Sequence, residues 1–321
     1  MPRLRRDVPP LFRIAGPALM AALACVLPLP AAAQQTAAAS TPQPLDDAWW
    51  TGPMLAANAN TLPRGHMYFE PYLFDVQTPN TNSYGSLTYI NYGVTDRFTI
   101  GLQPTFGYNA VANAPSSSAV GVGDTTVIAQ YGLTRFTIDN PIPSTAIVLE
   151  QAFPTGRYDN LGDRPSDGVG GGAYTTSIGL YVQNIFWLPN RRIFRARLDM
   201  LQSFSQRTQV SGVSVFGTDA SFHGYAYPGS SFYVDAAGEY SATRSWVPAL
   251  DVTYRYTDNT AVVSTLGART NSGPSAEYAV APAIEYNWTP AWGVLLGTRF
   301  ILRGFNTKPS TTPAIAISFF D

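Results

Sequence analysis

Chemistry in a protein starts with nucleophiles, imidazoles, thiols and carboxylates, and this chain is poor in imidazoles and thiols. It has two histidines, His66 and His223, and one cysteine, Cys25. Two imidazoles do not make a multi-histidine metal centre. A lipid hydrolase could work with one histidine and a serine, and Ser221 or Ser205 could serve near His223. No Ser, His and acid grouping at a meaningful spacing accompanies them, although such triads are defined by geometry rather than order. The glycines between positions 168 and 172 suggest a phosphate cradle, but a strand follows them instead of a helix, so a flexible loop is the better reading. No catalytic residue, metal or cofactor is assigned.

The carboxylates and guanidiniums are more informative. Glu70, Arg97, Asp124, Glu150, Arg195, Arg197, Asp199, Asp235, Glu239, Asp251, Arg255, Glu277, Glu285 and Arg299 all fall on the polar or small-residue face of short alternating segments. If that face lines a lumen, nine acids against five bases predict a hydrated passage that mildly favours cations. Pairing of these charges across strands, to fill a narrow barrel, is an equally good account.

Strands must position them. In 277–288 the residues Tyr278, Val280, Pro282, Ile284, Tyr286 and Trp288 share one face, and Glu277, Ala279, Ala281, Ala283, Glu285 and Asn287 the other. In 194–204 Phe194, Leu198, Met200 and Phe204 oppose Arg195, Arg197 and Asp199. A helix would scatter these charges around its circumference, whereas a period of two makes strands. About twelve such segments follow Arg64. Short links at 95–97, 139–141, 189–191, 242–244 and 289–291 alternate with longer ones at 77–84, 109–121, 154–171, 206–230, 258–274 and 304–311. That rhythm, together with aromatics near segment ends (Tyr108, Trp187, Trp246, Tyr256, Trp288, Trp292), favours a membrane barrel over a soluble sandwich. The expected fold is all-β, a transmembrane antiparallel β-barrel of about 12 strands with both termini periplasmic. Closure is needed because an open edge in lipid leaves backbone groups unpaired.

Composition agrees. Charged residues are 13% of the 321, against roughly 25% in ordinary soluble domains, and aromatics are also 13%. A formal net charge of −1 gives no broad grip on nucleic acid. Arg3, Arg5 and Arg6 precede a nearly uncharged stretch over 14–30 and then Ala31-Ala32-Ala33, the pattern of a signal peptide cleaved before Gln34. Lipoprotein processing at Cys25 is the alternative, but the apolar run continues past it. Cleavage would leave a mature chain without cysteine. Beyond Gln34 no apolar run is long enough for a membrane helix.

The expected organisation is a signal peptide over 1–33, a periplasmic arm over 34–63 and a barrel over 64–321. Trp49 and Trp50 stand just before the first strand. Residues 49–63 could plug the periplasmic mouth, or the tryptophans could anchor at the membrane interface.

Trp49-Trp50-Thr51-Gly52-Pro53, then Thr61-Leu62-Pro63-Arg64-Gly65, Glu70-Pro71-Tyr72, Tyr92-Gly93-Val94-Thr95-Asp96-Arg97, Gly123-Asp124-Thr125-Thr126 and Phe153-Pro154-Thr155-Gly156 occur in that order. With these motifs the chain resembles the outer-membrane family named for the meta-pathway of phenol degradation. The resemblance covers residue 49 to the end. It implies a barrel associated with uptake of aromatic or other hydrophobic compounds, and no catalytic residues. One departure is the C-terminus: such barrels typically end on an aromatic, and here Asp321 follows Phe320. The expected role is an outer-membrane channel for small hydrophobic or aromatic solutes, without catalysis. A structural or adhesion barrel is the alternative, and a barrel lipid hydrolase a distant third. The expected partners are outer-membrane lipid, the barrel assembly machinery and a small-molecule solute.

Overall fold

Alternating segments of this kind need backbone partners, and in the computed structural model they find them in one another. The structure describes residues 41–321; the leader, its cleavage site and Cys25 lie outside the described residues. The strands are β1 (Met67–Thr78), β2 (Thr81–Thr95), β3 (Phe98–Gln103), β4 (Thr105–Val111), β5 (Gly121–Val122), β6 (Thr125–Thr134), β7 (Ser144–Phe153), β8 (Thr175–Trp187), β9 (Ile193–Ser205), β10 (Thr208–Ser211), β11 (His223–Tyr227), β12 (Ser231–Tyr240), β13 (Trp246–Thr257), β14 (Ala261–Ser264), β15 (Arg269–Asn271), β16 (Ser275–Asn287), β17 (Trp292–Phe305) and β18 (Ser310–Phe320).

Pro104 interrupts one wall strand into β3 and β4, which both pair with β2. In the same way β5 and β6 form the next wall strand, against β4 and β3. The wall therefore has twelve antiparallel strands, and it closes because β1 pairs with both β2 and β18. Closure leaves neither the first nor the last wall strand with an open edge. β1 begins, and β18 ends, at the rim where the β2–β3 turn lies, the short-turn end.

Burial decides which face is which. Leu73, Ile178 and Leu296 are 61%, 53% and 51% exposed, while Glu239, Asp251 and Glu285 on the opposite parity are 0% exposed. A water-soluble sandwich would invert this, so the outer surface is the one that meets hydrocarbon. At the short-turn end the rings of Trp246, Tyr286, Trp288, Trp292 and Phe319 run on from one another at 4.6–6.4 Å between centroids. Tyr254–Tyr278 and Tyr256–Phe305 mark the other end. These bands lie where amphipathic rings favour the membrane boundary.

Three link lengths differ from the sequence reading. β1 and β2 are joined by 79–80 alone and β17 and β18 by 306–309, because those strands continue past the expected boundaries. The short-side link between β6 and β7 spans 135–143, longer than either. Turn-forming residues such as Asn, Thr and Pro also occur within protruding strands, which hides where pairing stops.

The remaining loops are folded. β10, β11, β14 and β15 form a separate antiparallel sheet around Val210, Ala226 and Val262, with Tyr158, Phe216 and Phe222 against them. The glycine-rich stretch is a pinned turn instead of a free loop. Asp124 accepts the N–H groups of Gly156 and Gly171 at 3.0 and 2.8 Å, and a Cβ on Gly170 would lie 2.5 Å from the carbonyl of Gly156.

Candidate functional site

Twelve strands give a bore wider than that of the side-chain-filled eight-stranded type, and this bore is occupied by the chain itself. Residues 43–64 form a strap that crosses the interior. It starts at the short-turn rim, where the carbonyl of Gln43 accepts the indole N–H of Trp187 at 2.9 Å and its side chain donates to Ser241 at 2.8 Å. The first turn is a 3-10 helix, Leu45–Asp47. Trp49 then bonds the β12–β13 turn through Arg244, whose guanidinium also covers the Trp49 ring and pairs with Asp47.

From there the strap is held by carboxylates that project from the wall. Glu285 accepts the N–H groups of Thr51 and Gly52 at 2.7 and 3.0 Å. Asp251 accepts three in succession, from Met54, Leu55 and Ala56, at 3.0–3.2 Å. Asp199 accepts the N–H of Ala57 at 2.6 Å. Charge-assisted bonds of this kind are the strong ones, and they answer the backbone groups that an irregular segment would otherwise bury unpaired. The path ends with Gln130 donating to the Asn58 carbonyl, Leu62 donating to Thr99, and Arg64 donating to Asp96.

Arginines supply the countercharge. Glu239 forms ion pairs with Arg195 and with Arg197, and the Arg197 pair is 3.0 Å. Arg197 also donates to the Ala56 carbonyl at 2.9 Å, and Arg195 lies 4.3 Å over the Trp50 ring. Thus Trp50 packs inside the barrel on a buried arginine. Trp49 stays at the rim.

Of the fourteen charged residues singled out in the sequence, twelve fall on the inner face. Glu70 pairs across from Tyr89 and is buried, and Glu150 accepts the Tyr181 hydroxyl at 3.1 Å. Asp235 accepts the Tyr233 hydroxyl at 3.0 Å. Toward the loop end Glu277 bridges Arg299 at 2.6 Å and Arg255 at 3.7 Å, with Arg255 over the Tyr233 ring. Two residues depart from the expectation. Arg97 sits exposed in the β2–β3 turn, because the pairing of Thr95 with Phe98 leaves it outside the ladder. Asp124 precedes β6 and pins the loop already described.

The path of the strap is not legible in the sequence, but one signal of it is. Inward positions beside the strap are small. A Cβ on Gly293 would lie 2.2 Å from the Thr51 hydroxyl, one on Gly297 would lie 3.0 Å from the Met54 sulfur, and one on Gly93 would lie 2.0 Å from the Pro63 carbonyl. Ala281, Leu295 and Ala316, with Tyr72, complete the seat of Met54.

The hydrolase set does not assemble. Ser221 donates to Asp219 in a local turn at 2.7 Å, and Ser205 bonds Thr175 at 2.8 Å. His223 pairs with Ser211 across the loop sheet, and His66 stacks on Phe320 at the opposite rim.

A closed antiparallel wall, apolar outside and polar inside, defines an outer-membrane β-barrel. No family model and no curated protein matches the chain. Among solved structures it is similar to an outer-membrane channel from Pseudomonas putida F1, with a TM-score of 0.62 and 14% identity over 84% of this chain and 100% of that one. At that identity the likeness is one of fold. The NanC porin aligns over 78% of this chain and 98% of its own, at 11% identity and a TM-score of 0.44. The CymD monoaromatic hydrocarbon channel aligns over 81% and 89%, at 10% identity and a TM-score of 0.37.

Proposed function

We propose that the protein is an outer-membrane channel for small hydrophobic or aromatic solutes and that it works without chemistry. The observation that carries this reading is the strap. The wide bore is filled by one segment held through hydrogen bonds to wall carboxylates and outside the strand ladders, so its displacement leaves the backbone pairing of the wall intact. A barrel that served only as structure would gain more from a packed apolar filling. The finer family assignment, to the group named for the meta-pathway of phenol degradation, rests on the ordered motifs around Trp49, Glu70, Asp96 and Asp124. The cleaved leader over 1–33, the short-turn rim in the periplasm and delivery by the barrel assembly machinery belong to the same reading. The channel takes its solute from the loop side, where Arg255, Glu277 and Arg299 pair on the inner face. Swelling of proteoliposomes in benzyl alcohol, compared with a sugar of similar size, tests the reading. Faster swelling than in protein-free vesicles is expected. No difference for any solute would leave a structural barrel, and release of fatty acid from the lipid would revive the hydrolase.

A further inference from the structure

The wall is notched at the short-turn rim where β8 outruns β7. β7 begins at Ser144, paired with Gln183, so residues 184–187 of β8 keep their β9 partners but have none on the β7 side. The link over 135–143 runs beside this gap, and an open groove of about 420 Å³ lies between link and strand. Phe136, Ile138, Pro141, Ile185, Phe186 and Trp187 line it. Asn184 turns its side-chain oxygen back to accept the N–H of Ile185 at 3.0 Å, which answers a backbone group at the unpaired edge. Ile185 and Trp187 have the inward parity of β8 while Asn184 and Phe186 have the outward one. The lining therefore includes residues of both wall faces, and the Trp187–Gln43 bond joins it to the start of the strap.

We propose that this notch binds a single-ring aromatic molecule, which makes it a solute site in the channel wall; the assignment of a solute to it rests on the channel reading above. The volume falls within the range of small-ligand pockets, and the lining is of the apolar and aromatic kind that such pockets use. The Phe136 and Trp187 rings pair with each other at 6.5 Å and 38° and both line the groove, so a solute ring beside them meets an aromatic face or edge, the arrangement aromatic rings prefer. A polar solute finds no free charge there. A lipid chain is the competing occupant.

The test uses the full-length protein in phosphatidylcholine vesicles, with 4-bromobenzyl alcohol as a heavy-atom quencher of its six tryptophans. A saturable quenching component is expected. It should vanish in Trp187→Phe and weaken by about tenfold or more in Ile138→Glu, which places a carboxylate in the apolar lining. Ile138 belongs to the link, so that variant leaves the strand ladder intact. Quenching that rises linearly, and equally in the wild type and Trp187→Phe, overturns the site. Quenching of Trp187 by a brominated acyl chain that benzyl alcohol does not relieve also overturns it, by assigning the notch to lipid. Swelling of the same vesicles keeps the two proposals apart. Swelling without saturable quenching removes the site and leaves the channel, and saturable quenching without swelling does the reverse.

Discussion

Met54 and Asp251 stand 197 positions apart in the chain and meet at 3.0 Å, backbone N–H to carboxylate. The next two N–H groups reach the other oxygen of the same side chain. One carboxylate thus replaces a turn of secondary structure for the strap, and the contact ties the N-terminal segment to the middle of β13.

The first prediction follows from that contact. Asp251→Asn puts an amide donor where N–H groups point, leaving buried donors unsatisfied at a cost of about 1–3 kcal/mol. The barrel should still fold, and protease should cut 49–63 faster than in the wild type. Unchanged cleavage would mean that the strap is held elsewhere.

Deleting 49–63 should leave a folded barrel, since the ladders begin at Met67 and supply the backbone bonds of the wall. Conductance in a planar bilayer should rise. The inward acids are Glu70, Glu150, Asp199, Asp235, Glu239, Asp251, Glu277 and Glu285, against Arg195, Arg197, Arg255 and Arg299, so the open channel should prefer cations. The deletion also strips the N–H donors from Asp199, Asp251 and Glu285, so its preference should exceed that of the intact protein and fall with salt. Anion selectivity in the deleted form would show that the inward charges are not ionised as drawn.

Gly293→Leu offers the same outcome without removing a residue. The added side chain must occupy the place of the Thr51 hydroxyl, 2.2 Å from its Cβ, so the strap should be displaced and conductance raised. Leu296→Ala on the outer face of the same strand is the control and should leave conductance at the wild-type value.

Leu198→Arg should cost roughly 2–4 kcal/mol if it lies near the membrane midplane, read from urea refolding curves. The structure also reorders a comparison that parity alone would suggest. Arg197 faces inward, but it serves Glu239 and the Ala56 carbonyl while buried, and breaking a buried pair costs about 3–5 kcal/mol. Arg197→Leu should therefore be no milder than Leu198→Arg. A neutral Arg197→Leu would mean that Arg195 alone satisfies Glu239.

The faces of the wall were legible in the sequence because alternation is local: Tyr286 and Glu285 point opposite ways whatever strand lies beside them. The same holds for the twelve-strand count and for the parity of Arg195, Arg197 and Asp199. Arg97 and Asp124 were misplaced because parity runs on through a turn, whereas pairing does not. Only the tertiary structure decided what fills the bore. Asp199, Asp251 and Glu285 lie on three different strands and share no sequence pattern with residues 51–57; closure of the wall brings them to one segment, and that segment has no periodicity to announce it because its hydrogen bonds go to side chains instead of to a neighbouring strand.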